Sequence, residues 1–242
     1  ACRNEHDRRG DKAVPTDAYY GVHTLRAQEN FDITGISIAV YPDLIRALAQ
    51  IKKAAALTNQ QLGLLDPKCA VAIAAACDEV IAGKFHEHFI VDVIQGGAGT
   101  STNMNANEVI ANRALEILGH QRGEYQYLHP NEHVNMSQTT NDVYPTALKL
   151  ATYIGIFSLV DAMAYLRRAF ERKADEFADV LKMGRTQLQD AVPMTLGQEF
   201  QTYAIMLGED EERLKEAALL IREMNLGATA IGTGINADPD YA

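Results

Sequence analysis

Apolar positions recur at helical spacing along most of this chain. Between residues 42 and 64 they mark one face of a helix: Leu44, Ile45, Leu48, Ile51 and Ala55. Asp66 followed by Pro67 predicts the start of the next helix, and Gly83 predicts its end. Residues 101–118 predict a further helix, closed by Gly119. We therefore expect a mainly α fold.

Residues 144–180 predict the longest helix. Between residues 143 and 166 only Lys149 and Asp161 are charged. A helix that is apolar on nearly all sides must be buried on nearly all sides. A second long helix is predicted from about residue 195 to 225. We expect both helices to belong to a bundle completed by other subunits or by residues outside this chain.

The pattern predicts a domain boundary near residue 140. Residues 1–140 are predicted to form a smaller, mainly helical N-terminal domain with short mixed elements. Within it, residues 89–95 fit either a strand or an extended connector. Residues 141–242 read as the first part of a central helical bundle. The longest apolar run, about 150–166, is broken by Asp161, so we expect no membrane-spanning segment and no membrane partner.

The charge balance narrows the functional classes. The formal net charge is −10 with no basic stripe, which argues against nucleic acid as a partner. Any site for a small anion must then be built from local dipoles and hydrogen bonds. The three cysteines, Cys2, Cys69 and Cys77, lack metal-ligand spacing, so the sequence predicts no metal site, free thiols and a cytoplasmic location.

Three segments rich in hydroxyl and amide side chains are the candidates for chemistry: GGAGTSTNMNANE (96–108), SQTTNDVYPT (137–146) and GRTQLQDAVPMT (184–195). The first two lie at predicted helix starts, and the third places Thr186 in the turn between the two long helices. Helix N-termini present unpaired N–H groups that suit carboxylates. The same residues are also the preferred helix caps, so a purely structural role stays open.

Together these segments resemble the aspartase/fumarase superfamily, over residues 17–241. DAYYGVHTLRA (17–27), GGAGTS and EYQYL (124–128) resemble its aspartase branch, as does Gln187, where class II fumarases usually have histidine. The resemblance implies an aspartase/fumarase-type fold, truncated here, with a smaller mixed N-terminal domain and a long central helical bundle. It further implies a homotetramer whose active sites are shared between subunits.

The resemblance also implies a set of substrate-binding residues: Thr100, Ser101, Thr139, Thr140, Asn141, Thr186 and Gln187. Thr100, Thr139 and Thr140 would contact the β-carboxylate of aspartate, and Asn141 would hold its amino group. Thr186 would bind the α-carboxylate, with Gln187 close to the leaving ammonia.

The activity implied is reversible elimination of ammonia from L-aspartate to give fumarate. The general base, a serine in the family motif GSSxMPxKxN, is expected beyond Ala242. No cofactor is required for this chemistry, and activation by a divalent cation such as Mg²⁺ is left open. Two alternatives stay open: a fumarase-type hydratase, and a non-catalytic helical scaffold.

Overall fold

The computed structural model describes residues 1–95, 97 and 99–241, so Gly96 and Ala98 of the GGAG segment and Ala242 lie outside the described residues. The chain divides into two compact units. The first contains residues 1–151 and 224–242, and the second contains residues 152–223. The domain boundary near residue 140 stays a prediction about the family fold.

The first unit is a β-hairpin followed by helices. The hairpin, which was not predicted, pairs β1 (Cys2–Asp7) antiparallel with β2 (Gly10–Pro15). The helices are α1 (Val22–Asn30), α2 (Pro42–Gln61), α3 (Pro67–Ile81), α4 (Thr100–Ile117) and the start of α5 (Thr140–Glu176). Short helical turns form at Ile38–Val40, His86–His88 and Pro130–Val134.

The core of the first unit lies among α2, α3 and α4. Its largest fully buried apolar side chains include Ile45, Leu48, Ile73, Ile110 and Leu115. The start of α3 is confirmed, because the Asp66 carboxylate accepts hydrogen bonds from the backbone N–H groups of Lys68 and Cys69. Residues 89–95 form no named strand; they contain several bends and one isolated bridge, between Ser37 and Asp92.

The second unit contains the rest of α5, a β-hairpin and α6 (Leu196–Leu220). Strands β3 (Leu181–Thr186) and β4 (Gln189–Thr195) pair antiparallel. A β-hairpin therefore connects the two long helices, and the prediction of a simple turn between them was wrong. The second helix also ends at Leu220, not near residue 225. Its start is fixed by a capping box between Thr195 and Gln198.

Helix α5 is 37 residues long and leaves many apolar side chains exposed. These include Phe157, Leu159, Tyr165 and Leu166. The expectation that no segment could cross a bilayer was wrong on length and composition: one window of α5 is apolar enough, and only 11% of that window is buried. The central helix of an assembled bundle meets the same criterion, and this exposure agrees with the predicted need for further helices around α5.

Candidate functional site

The first candidate segment forms the start of α4. Gly99 precedes the helix with φ +84°, in the left-handed region that glycine favours. No side-chain cap bonds to the start of α4 within the described residues. Thr100 is exposed and Ser101 is half-buried. The first turn therefore combines hydroxyl groups with N–H groups and the positive end of the helix dipole.

The second candidate segment packs directly against Gly99. A Cβ atom on Gly99 would lie 2.6 Å from ring carbons of Tyr144, in the first turns of α5. Only glycine leaves room for the ring at this position. The structure therefore brings the starts of α4 and α5 together.

Asp142 holds the start of α5 in place. Its fully buried carboxylate accepts a hydrogen bond from Thr139 N at 2.9 Å, as in a helix cap. The other carboxylate oxygen accepts from Gly227 N at 3.2 Å and Thr229 N at 3.1 Å. Asp142 thus satisfies the backbone N–H of Thr139 and of two residues of the C-terminal segment, and no threonine hydroxyl takes part in these bonds. The Thr139 hydroxyl oxygen is buried and has no hydrogen-bond partner among the described residues.

Asn141 is tied to the same C-terminal segment. Its side-chain NH₂ group donates to the carbonyl of Ala230 at 2.8 Å, and Asn225 donates to the backbone carbonyl of Asn141 at 3.0 Å. With the NH₂ group used in this way, the amide oxygen is the acceptor that Asn141 can offer to a ligand. An acceptor is what the N–H groups of an ammonium require.

A buried lysine of α2, which was not predicted to belong to the site, lies next to the second candidate segment. Lys52 is fully buried in α2, and its Nζ donates to Asn135 Oδ1 at 2.7 Å and to Gln138 Oε1 at 2.9 Å. Burial lowers the pKa of Lys52 to about 7, although the negative charge of Asp142 acts in the opposite direction. The position carries a signal in the sequence, because residue 52 lies on the same helical face as Leu48 and Ala55.

The Asn135 oxygen also binds two residues of the first candidate segment, and one of them reaches the second segment. It accepts from Asn103 Nδ2 at 3.1 Å and from Asn107 Nδ2 at 3.2 Å. Asn103 Nδ2 lies 3.3 Å from Thr140 Oγ1 and donates to it. Asn103 and Asn107 are both fully buried, and their spacing of four residues places them on one face of α4.

The third candidate segment forms the tip of the β3–β4 hairpin in the second unit. Thr186 ends β3 and is exposed, and it pairs with Gln189. Gln187 and Leu188 make the two-residue turn with φ of +48° and +65°. Non-glycine residues rarely adopt this conformation, and such strain is typical of functional positions.

The scaffold beside the site fixes the DAYYGVHTLRA segment. Glu108 of α4 is fully buried and accepts hydrogen bonds from the backbone N–H groups of Gly21, His23 and Thr24 and from the Thr24 hydroxyl. The carboxylate therefore caps α1 from another helix. Across residues 1–95, 97 and 99–241, no group of three or more His, Cys, Asp or Glu side chains is placed to hold a metal ion. Cys2, Cys69 and Cys77 are free thiols.

The comparisons with known proteins each match nearly the whole chain. A family model described as Lyase matches residues 10–242. An aspartate ammonia-lyase from Helicobacter pylori is 62% identical over 239 residues, which cover 99% of this chain and 51% of that relative. A cobalt-bound structure titled fumarate lyase:delta crystallin, from Brucella melitensis, matches with a TM-score of 0.98 and 57% identity, over 100% of this chain and 53% of that one. A class II fumarase from Schistosoma mansoni matches with a TM-score of 0.93 and 36% identity, over 100% of this chain and 50% of the other. The chain thus spans about half the length of the curated relatives it matches.

Proposed function

Because the chain belongs to this family of lyases, we propose that the complete gene product is an aspartate ammonia-lyase, which converts L-aspartate reversibly to fumarate and ammonia. Relatives with this name are 57–62% identical across nearly the whole chain. The structural observation that carries the proposal is the hydrogen bond from Asn103 to Thr140, because it joins the two hydroxyl-rich segments at the starts of α4 and α5.

The chemical difficulty lies in removing a proton from C3 of aspartate. When the base takes this proton, the C–H electron pair moves into the β-carboxylate and gives an aci-carboxylate with two negative charges. Those electrons then form the C2=C3 double bond while the C2–N bond breaks and ammonia leaves. Hydrogen-bond donors that strengthen as this charge develops lower the barrier, by roughly 1.5–3 kcal/mol for one donor to a charged oxygen.

Each predicted residue has a role in this reaction. The hydroxyls of Thr100, Thr139 and Thr140 donate to the β-carboxylate, with Ser101 beside them. The Asn141 amide oxygen accepts from the amino group, because its NH₂ group is bonded to Ala230. The proposal places Thr186 at the α-carboxylate and Gln187 near the departing ammonia.

The proposal also covers partners, location and cofactors. The enzyme acts as a cytoplasmic homotetramer with active sites shared between subunits, without nucleic acid or membrane partners. The chemistry uses no cofactor. Rates measured with added Mg²⁺ and with a chelator test whether a divalent cation activates the enzyme.

The direct test follows fumarate by its ultraviolet absorbance. The complete gene product, purified free of host aspartase, should form fumarate from L-aspartate and not from L-malate. Fumarate from malate alone would favour the hydratase, and fumarate from neither substrate would favour the non-catalytic scaffold. Either result would contradict the proposal.

A matched pair of variants separates catalysis from folding. Thr140→Val should lower kcat/KM for aspartate by roughly tenfold to a hundredfold, because one donor to a charged oxygen is lost. Thr146→Val is the control: Thr146 lies in the same helix, is buried and donates only to the Asp142 carbonyl. Thr146→Val should lower thermal stability and leave kcat/KM nearly unchanged.

A further inference from the structure

A chain of three hydrogen bonds connects the buried Lys52 to Thr140. As an ammonium, Lys52 has three N–H donors and no acceptor, so any amide atom facing its Nζ must be oxygen. Asn135 meets this demand, with Oδ1 at 2.7 Å from Nζ. The charge and burial of Lys52 therefore fix which way the Asn135 amide points.

The orientation of Asn135 in turn fixes its neighbours in α4. Because the Asn135 oxygen faces them, Asn103 and Asn107 must both present their NH₂ groups to it. Their own amide oxygens are left buried without a hydrogen-bond partner among the described residues. Local bonding alone does not favour that arrangement, because a buried unpaired acceptor is unfavourable.

Asn103 passes this direction on to Thr140. Its NH₂ group also donates to Thr140 Oγ1, at 3.3 Å. A hydroxyl has one proton and two lone pairs, so a hydroxyl that accepts from Asn103 must point its proton elsewhere. Thr140 is half-buried in the first turn of α5, beside the start of α4, and its proton can reach a ligand there.

We propose that Lys52 and Asn103 are positioning residues that make the Thr140 hydroxyl a fixed donor, and that this donor selects a carboxylate over a carboxamide in the substrate. The inference rests on the proposed function, since it concerns the group of aspartate that Thr140 contacts. A carboxylate presents only acceptors, whereas a carboxamide also presents an N–H group that a fixed donor cannot pair.

The test begins with Asn103→Asp in the complete gene product. The new carboxylate presents acceptors to Thr140, so the hydroxyl proton turns inward and is lost to the substrate. We expect kcat/KM for aspartate to fall roughly tenfold to a hundredfold, about as far as in Thr140→Val. In Thr140→Val background the same change should have little further effect, because Asn103 acts through Thr140.

Asn107→Asp is the matched control. It places the same carboxylate beside Asn135, but Asn107 has no hydrogen bond to Thr140. Its loss of kcat/KM should be several-fold smaller and should combine additively with Thr140→Val. The inference would be overturned if Asn103→Asp and Asn107→Asp lowered kcat/KM equally. It would also be overturned if the effects of Asn103→Asp and Thr140→Val were additive.

Two unreactive inhibitors provide a readout that a structural role would not change. Wild-type protein should bind succinate more tightly than succinamate, which carries one carboxamide. The inhibition constant of succinamate divided by that of succinate should fall towards one in Asn103→Asp and in Lys52→Met. In Asn107→Asp this ratio should stay at the wild-type value. An unchanged ratio in Asn103→Asp would overturn the inference.

If Asn103→Asp does not fold, Asn103→Ala replaces it in the same cycle, and its effect must also disappear in the Thr140→Val background. Wild-type activity is measured first. An inactive wild-type protein overturns the proposed function and the inference together, whereas an active one with additive variants overturns only the inference.

Discussion

Gly99 determines how closely the starts of α4 and α5 approach each other. We expect Gly99→Ala to lower the free energy of unfolding by roughly 2–5 kcal/mol, because the new Cβ would meet the Tyr144 ring and the φ of +84° would be strained. Gly97→Ala is the control. Its φ is +68°, but no atom of the described residues lies within 4 Å of a Cβ there, so only the backbone strain, about 1 kcal/mol, should lower the free energy of unfolding. Equal losses in urea unfolding would contradict the close contact.

Lys52 should make stability depend on pH. Its pKa is about 7 in the folded chain and about 10.5 when unfolded, so the unfolded chain binds more protons between these values. The contribution of Lys52 to the free energy of unfolding therefore rises with pH across this window. Relative to Lys52→Met, the wild-type protein should gain about 2 kcal/mol between pH 7 and pH 9. A constant difference between the two proteins would show that the ammonium is not desolvated.

Single residues were predicted unevenly from the sequence. The hydroxyl-rich segments that contain Thr100 and Thr140 were visible because such residues cluster at helix starts. Asn103 and Lys52 were not predicted, because their role depends on contacts between helices that are far apart in the chain. A lysine on an apolar helical face was the signal that would have identified Lys52.

At the scale of elements, the β3–β4 hairpin carries Thr186. Replacing Thr186 by Val preserves the shape of the side chain and removes the hydroxyl assigned to the α-carboxylate of aspartate. We expect KM to rise and kcat/KM to fall by roughly tenfold or more. Thr202→Val is the control, since Thr202 is exposed on α6 and its hydroxyl donates to the Gln198 carbonyl of the same helix. Unchanged kcat/KM in Thr186→Val would show that this threonine is structural.

Helices were predicted well, and hairpins were not. The helices were visible because apolar spacing, Asp66 and Gly83 all follow from local preferences. The β3–β4 hairpin lacks the usual turn signals, because Gln187 and Leu188 replace the asparagine or glycine that a two-residue turn favours. The polar β1–β2 hairpin shows little apolar alternation, and it is held by contacts such as the hydrogen bond from Tyr125 to Glu5.

At the scale of the whole molecule, α5 exposes an apolar surface. Its exposed side chains include Leu159, at 50% exposure, and Tyr165, at 69%. Such a surface is typical of subunit interfaces. We expect the complete gene product to be a homotetramer by light scattering. A monodisperse monomer would contradict this prediction.

Residues 1–242 expressed alone should show no lyase activity, because they do not contain the family motif GSSxMPxKxN, whose serine is the expected general base. Donors to the carboxylate leave some rate enhancement, but most of it requires proton removal at C3. We also expect this segment to associate through α5. Fumarate formation at the rate of the complete gene product would place the base among these residues and contradict the transfer of the family mechanism.

The hydrogen bonds of Asp142 have a consequence for where the chain can be divided. Residues 224–242 return to the first unit after the whole of the second, and Gly227 and Thr229 supply two of the donors to this buried carboxylate. A deletion design that ends at α6 would leave Asp142 short of those donors, and a split-protein reporter cut there would separate Asn141 from Ala230. A minimal first unit is therefore better built by replacing residues 152–223 with a linker, so that residues 224–242 are kept.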